Sequence, residues 1–185
     1  QGNPEEIVFE PPTELTVSES TEARIRHLYV DEQTHQFNCG LTGLEIHCLD
    51  RFSDEDGFVG WYRNPINETC GLRIPYRVED NQNPYDYGTQ HVKCPDFLVV
   101  RMVDGECVVD IYEPHAPMNE TRPWHRIAQG FAHFAERHGD SFGRIMMSAL
   151  HDGNTRYFDF KDEQEREIAY SSSNFIEFWN TDRND

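Results

Sequence analysis

Two aspartates lie in adjacent apolar segments that read as strands of a buried sheet. Residues 94 to 115 are CPDFLVVRMVDGECVVDIYEPH, in which Asp96 and Asp110 flank an Asp-Gly turn signal. Two carboxylates on one covered face repel each other and lose solvation unless a proton or a cation joins them. Mg²⁺ or Mn²⁺ is the usual solution, and it suits phosphodiester hydrolysis because such an ion polarises the phosphoryl oxygen. The pair therefore predicts a metal site held by Asp96 and Asp110.

The length of the turn decides whether the two aspartates can share a face, since alternate residues of a strand point to opposite sides. A two-residue loop, Asp-Gly alone, sets Asp96 opposite Glu113 and puts Asp110 on the other face. A three-residue loop, Val-Asp-Gly with the glycine as a bulge, brings Asp96, Asp110 and Tyr112 to one face. Both loops suit the sequence, which leaves the choice open, and the metal site requires the second.

Each aspartate also has a purely structural interpretation. Asp96 follows Pro95 and could cap a turn, and Asp110 could pair with Arg101 or Arg63. Taken singly, each is more typical of structure than of catalysis. The two together, in an apolar context, favour the metal site.

The order of several segments resembles the PD-(D/E)xK nuclease superfamily. The segments are FVGWYRNP, LRIPYRV, CPDFLVVR and CVVDIYEPH, followed by a helix and a strand. More narrowly, they are similar to the C-terminal nuclease module of type III restriction subunits and of related DEAD/DEAH-box defence helicases. The resemblance covers roughly residues 40 to 150. It implies a restriction-endonuclease-like core, Mg²⁺ or Mn²⁺ as cofactor, and DNA as substrate.

The resemblance also implies roles for single residues. Asp96 and Asp110 match the two metal-binding acids of the motif. Glu45 matches the acid on the preceding helix, and Glu55 is the alternative if that helix is misplaced. This sequence departs from the family at Tyr112, where the motif has a lysine.

A phenol has no positive charge and is a poor base at neutral pH, so Tyr112 does not replace a lysine chemically. Glu113 and His115 follow closely, and Pro114 between them is expected to break the strand. We expect either side chain to turn back toward the metal, His115 as a general base or a third ligand.

Arg126 and Gln129 could meet a phosphate, although a solvated helix face fits them better. Two tryptophans suit either base stacking or core packing: Trp61 and Trp124.

The elements that must position these residues follow from periodicity and capping signals. Thr42-Gly-Leu-Glu45 is a capping box that predicts a helix from 43 to about 52, although its alternating apolar residues also suit a strand. A second helix is predicted from Pro123 to Gly139. The pattern favours an α/β or α+β fold in which helices flank a mixed central sheet. Strands are predicted over residues 23–30, 58–64, 72–78, 96–102, 106–113 and 142–150, followed by a further strand at YFDF and a short terminal helix.

The bulk composition limits the partners. The chain has 34 acidic and 16 basic residues, a formal charge of −18, and its two lysines are Lys93 and Lys161. A domain this acidic repels a phosphate backbone unless a metal or an attached basic domain compensates. Residues 1–20 are rich in Pro, Glu and Ser with few apolar anchors, and we expect them to be a linker. The resemblance implies that residues 21–180 are a nuclease-like domain, with helicase/ATPase domains of a parent protein as partners.

The five cysteines have no CxxC spacing, and no segment reaches the ~20 apolar residues of a membrane span, so the sequence predicts a cytoplasmic protein with no membrane contact.

The expected function is a metal-dependent DNA endonuclease domain of a restriction or defence helicase-nuclease. The alternative is a catalytically inactive nuclease-like domain that docks or positions DNA. A third possibility is a stand-alone binding protein of a salt-adapted cell.

Overall fold

The fold was analysed in a computed structural model, which describes residues 22–65, 71–78, 83–85, 91–115 and 124–182. Its strands are β1 (Ala23–Arg24), β2 (Phe37–Asn38), β3 (Phe58–Arg63), β4 (Ile74–Tyr76), β5 (His91–Lys93), β6 (Phe97–Val103), β7 (Glu106–His115), β8 (Ile145–His151) and β9 (Asn154–Asp159). Its helices are α1 (Gly43–Ser53), α2 (Trp124–His138), α3 (Glu163–Ser171) and α4 (Phe175–Asn180), and a short 3₁₀ turn (Gly139–Ser141) follows α2.

Five strands form a mixed central sheet in the order β3-β6-β7-β8-β9. All neighbours are antiparallel except β7 and β8, which are parallel and are connected through α2. A parallel pair needs such a crossover, because a short hairpin cannot reverse the chain direction twice. The predicted α+β architecture with a mixed central sheet and flanking helices is confirmed.

The sheet is covered on both faces, as the apolar strands indicate. One core cluster includes Leu98 and Ile111 and packs the sheet against α2, whose Phe131 is fully buried. The other includes Phe97 and packs the sheet against α1, whose Phe52 is 1% exposed. These two faces are called the α2 face and the α1 face below.

A separate two-stranded sheet joins β4 and β5 antiparallel, with Ile74 opposite Lys93. It packs on α2: a Cβ at Gly130 would collide with the backbone oxygen of Pro75, so glycine permits this close approach. The predicted short strand at LRIPYRV is therefore correct. It lies beside the central sheet and is not one of its five strands.

Two expectations about local structure are corrected by the fold, and a third falls on residues that the structure does not describe. The strand predicted over 23–30 is wrong in extent, because only Ala23–Arg24 pairs with β2 before Arg26 takes a positive φ of 57°. The terminal helix is two helices, since Ser172 leaves the helical conformation between α3 and α4. The predicted linker at 1–20 lies outside the described residues. Within the described ranges, no helix is both long and apolar enough to cross a membrane.

Candidate functional site

The hairpin between β6 and β7 has the two-residue turn. Val103 pairs with Glu106, so the loop consists of Asp104 and Gly105 alone. Their φ angles are 52° and 85°, and a type I′ turn requires positive values at both positions. Aspartate tolerates this left-handed region better than most residues, and glycine has no Cβ to clash. The turn therefore fixes the register of both strands.

This register separates Asp96 from Asp110. Asp110 pairs with Val99, and strand alternation places its side chain on the α1 face together with Tyr112. Asp96 immediately precedes β6, and its backbone N–H donates to Glu113 Oε2 at 3.2 Å. Glu113 lies on the opposite face of β7 from Asp110. The expected metal site shared by Asp96 and Asp110 is therefore not formed.

Asp110 is held by two arginines instead. Arg101 approaches with Nε at 2.5 Å and a second nitrogen at 3.0 Å, and Arg144 donates from its backbone N and its Nε, both at 2.9 Å. Arg144 also binds Glu55 at 2.5 Å. A Cβ at Gly143 would collide with the Asp110 carboxylate, so glycine is needed there. We call Glu55, Arg101, Asp110 and Arg144 the Asp110 network. The predicted pairing of Asp110 with Arg101 is confirmed. Glu55 lies beyond the end of α1 at Ser53 and pairs with Arg144.

Tyr112 belongs to the core and not to a polar site. Its side chain is 1% exposed, and its ring centroid lies 3.9 Å from that of Phe52 on α1. Burial raises the pKa of the phenol far above its usual value. The tyrosine at this position therefore packs the α1 face, and it cannot act as a base.

A second group of ionisable residues gathers at the end of the sheet where β3 and β7 finish and β6 begins. We call it the Asp96 cluster. Its acids come from α1, from the residue before β6 and from β7, and its cations come from the last residues of β3 and β5. The members are Glu45, Arg63, Lys93, Asp96, Glu113 and His115.

Glu45 enters the Asp96 cluster from the first turn of α1, where the predicted capping box is confirmed. The Thr42 N–H donates to Glu45 Oε2 at 2.6 Å, and the Glu45 N–H donates to Thr42 Oγ1 at 3.3 Å. The other carboxylate oxygen lies 2.7 Å from an Arg63 guanidinium nitrogen. Burial acts to raise the pKa of Glu45, but the Thr42 hydrogen bond and the Arg63 charge outweigh it and the pKa is lowered. Glu45 is therefore a fixed negative charge.

Asp96 and Glu113 are the most closely associated acids of the cluster. Glu113 is fully buried, and its Oε1 lies 2.7 Å from Lys93 Nζ and 3.4 Å from His115 Nδ1. Asp96 is 9% exposed, and its Oδ1 lies 3.3 Å from Arg63. Burial, together with the charge of Glu113, raises the pKa of the Asp96 carboxyl to about 7. The ionised form of Asp96 is therefore disfavoured mainly because the carboxylate is desolvated.

Asn64 holds the segment that carries Asp96. Its backbone N–H donates to the Asp96 carbonyl at 3.0 Å, and its side-chain nitrogen donates to the carbonyls of Pro95 at 2.8 Å and Leu72 at 2.9 Å. Its side-chain oxygen accepts from the Leu72 N–H at 2.8 Å. Since the amide is 1% exposed and fully bonded, it fixes the backbone just before β6.

The donors of the Asp96 cluster suit a hard divalent cation. Asp96 and Glu113 are buried acids joined by the contact of the Asp96 backbone N–H with Glu113 Oε2, and Mg²⁺ and Mn²⁺ prefer carboxylate oxygen ligands. Burial, and next the charge of Glu113, disfavour the ionised form of Asp96. In the part of the chain that the structure describes, no three acid, histidine or cysteine side chains are already arranged around a metal position. Arg63 and Lys93 make close contacts with the acids instead.

The whole of this site lies in the region that a known family covers. A model of the YagJ family matches residues 25–184. The chain belongs to the YagJ family. One relative is protein YagJ of Escherichia coli (strain K12), 30% identical over 150 residues, which are 80% of this chain and 57% of the relative. The chain thus spans little more than half of that YagJ protein. No solved structure matches the present chain.

In this YagJ family chain, sequence reasoning missed two residues of the Asp96 cluster. Arg63 was expected only as a possible partner of Asp110, and Lys93 was noted only for the rarity of lysine. That rarity was the available signal, since Lys93 stands three residues before Asp96. Its contact with Glu113 depends on β5, which the sequence did not predict.

The remaining candidates lie elsewhere. Gln129 is buried and donates to the carbonyls of Ala169 and Ser172, so the solvated helix face expected for it is wrong. Arg126 donates to the Gln129 side chain at 3.0 Å. Trp61 and Trp124 are each 1% exposed, and both pack in the core instead of offering a ring to a base.

Proposed function

We propose that this domain is a metal-dependent phosphodiester hydrolase whose site is the Asp96 cluster. The observation that supports it is the contact of the Asp96 backbone N–H with a carboxylate oxygen of buried Glu113. His115 lies beside Glu113, and Arg63 links the Asp96 side chain to Glu45. In the proposed site Asp96 and Glu113 would hold Mg²⁺ or Mn²⁺. Such an ion polarises a phosphoryl oxygen and lowers the pKa of bound water.

The proposal changes how the resemblance to the PD-(D/E)xK superfamily maps onto the chain. Pro95-Asp96 remains the first part of the motif. Glu113 replaces Asp110 as the second acid, since Glu113 shares a site with Asp96, and His115 then stands in the place of the motif lysine. Glu45 remains the helix acid.

His115 supplies the proton transfer in this proposal. Hydrolysis joins the oxygen of water to phosphorus and breaks one P–O bond of the diester. The attacking water loses one proton, which the neutral imidazole of His115 accepts, and the leaving oxygen takes a proton from solvent. Glu113 Oε1, 3.4 Å from His115 Nδ1, stabilises the imidazolium that results. Lys93 offsets part of the negative charge at the same oxygen.

DNA is the proposed substrate, and attached helicase/ATPase domains of a longer protein are the proposed partners. The chain has a formal charge of −18, so long-range attraction of a polyanion must come from elsewhere. The described cysteines Cys39, Cys48, Cys94 and Cys107 are free thiols, which suits the reducing cytoplasm that we propose as its compartment.

The test is cleavage of supercoiled plasmid by the full chain with Mg²⁺ or Mn²⁺. We expect nicking that Asp96→Asn and Glu113→Gln each reduce by at least about a hundredfold, since each change removes a metal ligand. Asp152→Asn is the matched control, because that side chain is 83% exposed and belongs to neither cluster.

Two outcomes would contradict the proposal. Cleavage that survives both Asp96→Asn and Glu113→Gln would remove the Asp96 cluster as the site. Absence of cleavage with either metal, by the chain and by a longer protein that contains it, would favour the inactive domain that docks or positions DNA.

A further inference from the structure

The guanidinium of Arg63 joins two carboxylates that come from different layers of the fold. One nitrogen lies 2.7 Å from Glu45 Oε1 on α1, and another lies 3.3 Å from Asp96 Oδ1 beside the sheet. The side chain is 21% exposed. Arg63 therefore contacts one oxygen of the Asp96 carboxylate and is itself partly open to solvent.

The backbone and stem of Arg63 are fixed independently of these carboxylates. Its backbone pairs with Phe97 of β6, and its N–H donates to His27 Nε2 at 2.9 Å. Its guanidinium carbon lies 5.1 Å from the centre of the Phe97 ring. The backbone of Arg63 therefore stays in place if the guanidinium moves, and the contacts that must break are those with Glu45 and Asp96 and the one with the Phe97 ring.

Charge decides which cation the acids prefer. The Asp96 cluster contains three carboxylates, Glu45, Asp96 and Glu113, and two permanent cations, Arg63 and Lys93. With every carboxylate ionised, the cluster carries one net negative charge. A divalent ion added with Arg63 still in place would leave one net positive charge, so Arg63 would then be repelled by the ion and less attracted by the acids.

We propose that Arg63 and a divalent cation exchange at Asp96. In the metal-free protein Arg63 neutralises Glu45 and Asp96, and its guanidinium withdraws from Asp96 when the cation binds. This inference rests on the proposed metal site, and it adds a built-in competitor that weakens metal binding and stabilises the metal-free fold. Lys93 stays on Glu113, because its contact is with the other acid.

The test is Mn²⁺ binding to the full chain by isothermal titration calorimetry, without nucleic acid. Arg63→Met keeps an unbranched aliphatic side chain at this position and removes the competing charge, so we expect Mn²⁺ to bind about tenfold or more tightly. Arg51→Met is the matched control: it makes the same charge change, but Arg51 lies over the Tyr157 ring at 3.8 Å and away from these acids. We expect its Mn²⁺ affinity to stay within about twofold of the unmodified chain.

A second readout separates competition from a general loss of structure. Arg63→Met should unfold at a lower temperature than the unmodified chain without metal, and saturating Mn²⁺ should raise its midpoint by more than it raises that of the unmodified chain. If Arg63→Met does not fold, as judged by circular dichroism, Arg63→Lys is the substitute. It keeps one charge but cannot bridge both acids, and we expect an increase in affinity of about threefold.

The results distinguish this inference from the proposed function. Mn²⁺ binding that Asp96→Asn abolishes, but that Arg63 substitutions leave unchanged or weaken, overturns the exchange and leaves the metal site standing. Absence of Asp96-dependent binding in every variant overturns the metal site and the exchange together. Tighter binding in Arg51→Met equal to that in Arg63→Met also overturns the exchange, because net charge alone would then explain it.

Discussion

The Asp110 network and the Asp96 cluster solve the same problem, a buried aspartate at the central sheet, in different ways. Asp110 receives four hydrogen bonds from Arg101 and Arg144, and a carboxylate balances each arginine. In the Asp96 cluster, counted over the residues that the structure describes, three carboxylates face two permanent cations. The first arrangement is complete without a ligand, whereas the second, over the same residues, has one more negative than positive charge.

Burial and an apolar context therefore do not separate a structural acid from a functional one. Asp110 is 1% exposed and Asp96 is 9% exposed, so by burial alone Asp110 would be the stronger candidate. The number of cations around each carboxylate separates them. A buried acid with enough partners is a structural anchor, and one with too few is a candidate ligand for a cation.

The largest expected change in the free energy of unfolding follows from breaking the Asp110 network. Asp110→Asn leaves Arg101 and Arg144 without their shared charge, and we expect the free energy of unfolding to fall by about 4 kcal/mol. Urea denaturation of the full chain measures this, with Asp152→Asn as the control on an exposed acid. A loss below about 1 kcal/mol would mean that the network is not the anchor that its contacts indicate.

The next effect concerns His27, which binds the backbone of Arg63 in the Asp96 cluster. Its Nε2 accepts from the Arg63 N–H, so its Nδ1 carries the proton and donates to the Tyr29 carbonyl at 2.8 Å. Burial lowers the pKa of His27 to about 4. Between pH 6.5 and 4 the unfolded chain therefore binds a proton that the folded chain does not, and stability falls as the pH falls, by up to ~3 kcal/mol.

An NMR titration of the His27 ring measures this pKa directly. Unfolding of His27→Gln provides the companion measurement: the variant should be less stable at pH 7, and it should lose less stability than the unmodified chain between pH 6.5 and 4. A His27 ring that titrates near 6.5 would show that the imidazole is not held in its neutral form.

The smallest expected change in stability is that of Asp96→Asn, and its sign is opposite to that of Asp110→Asn. Asp96→Asn removes a carboxylate from a cluster with too few cations, so we expect it to stabilise the metal-free protein by about 1 kcal/mol at pH 8. The pKa of Asp96 is raised from its ordinary 3.8 to about 7 in the fold, so the cost of ionisation grows as the pH rises between these two values and is fully present above 7. The gain from Asp96→Asn should therefore become small near pH 4, where the folded carboxyl is protonated and the unfolded one is about half protonated.

Chemical denaturation at pH 8 and pH 4 in the presence of a chelator measures the Asp96→Asn effect. Destabilisation at both pH values, as for Asp110→Asn, would remove the distinction between the two sites.

Much of the fold was predictable because its signals are local. The capping box at Thr42 and Glu45 identified α1, and apolar periodicity identified α2 and most strands of the central sheet. The segment 23–30 failed because its alternation continues past Arg26, whose positive φ ends the strand. The break at Ser172 separates two helices that share one amphipathic pattern.

The site was only partly predictable because it depends on register and on contacts between distant segments. Asp-Gly suits both hairpin turns, so the sequence could name Asp96, Glu113 and Asp110 but not say which two would meet. The partnership of Arg63 with Glu45 needs the position of α1 over the sheet. Local patterns carry no information on such distances.

The two-residue turn at Asp104 and Gly105 sets a limit on how this chain can diverge. A single inserted residue that shifted β7 by one position would present Tyr112 where Glu113 now meets Asp96, without altering any acid of the cluster. The length of the loop therefore determines which residue of β7 meets Asp96, although the loop itself contacts no residue of the Asp96 cluster. Substitutions within that turn that keep both positive φ angles are tolerable, whereas changes in its length are not.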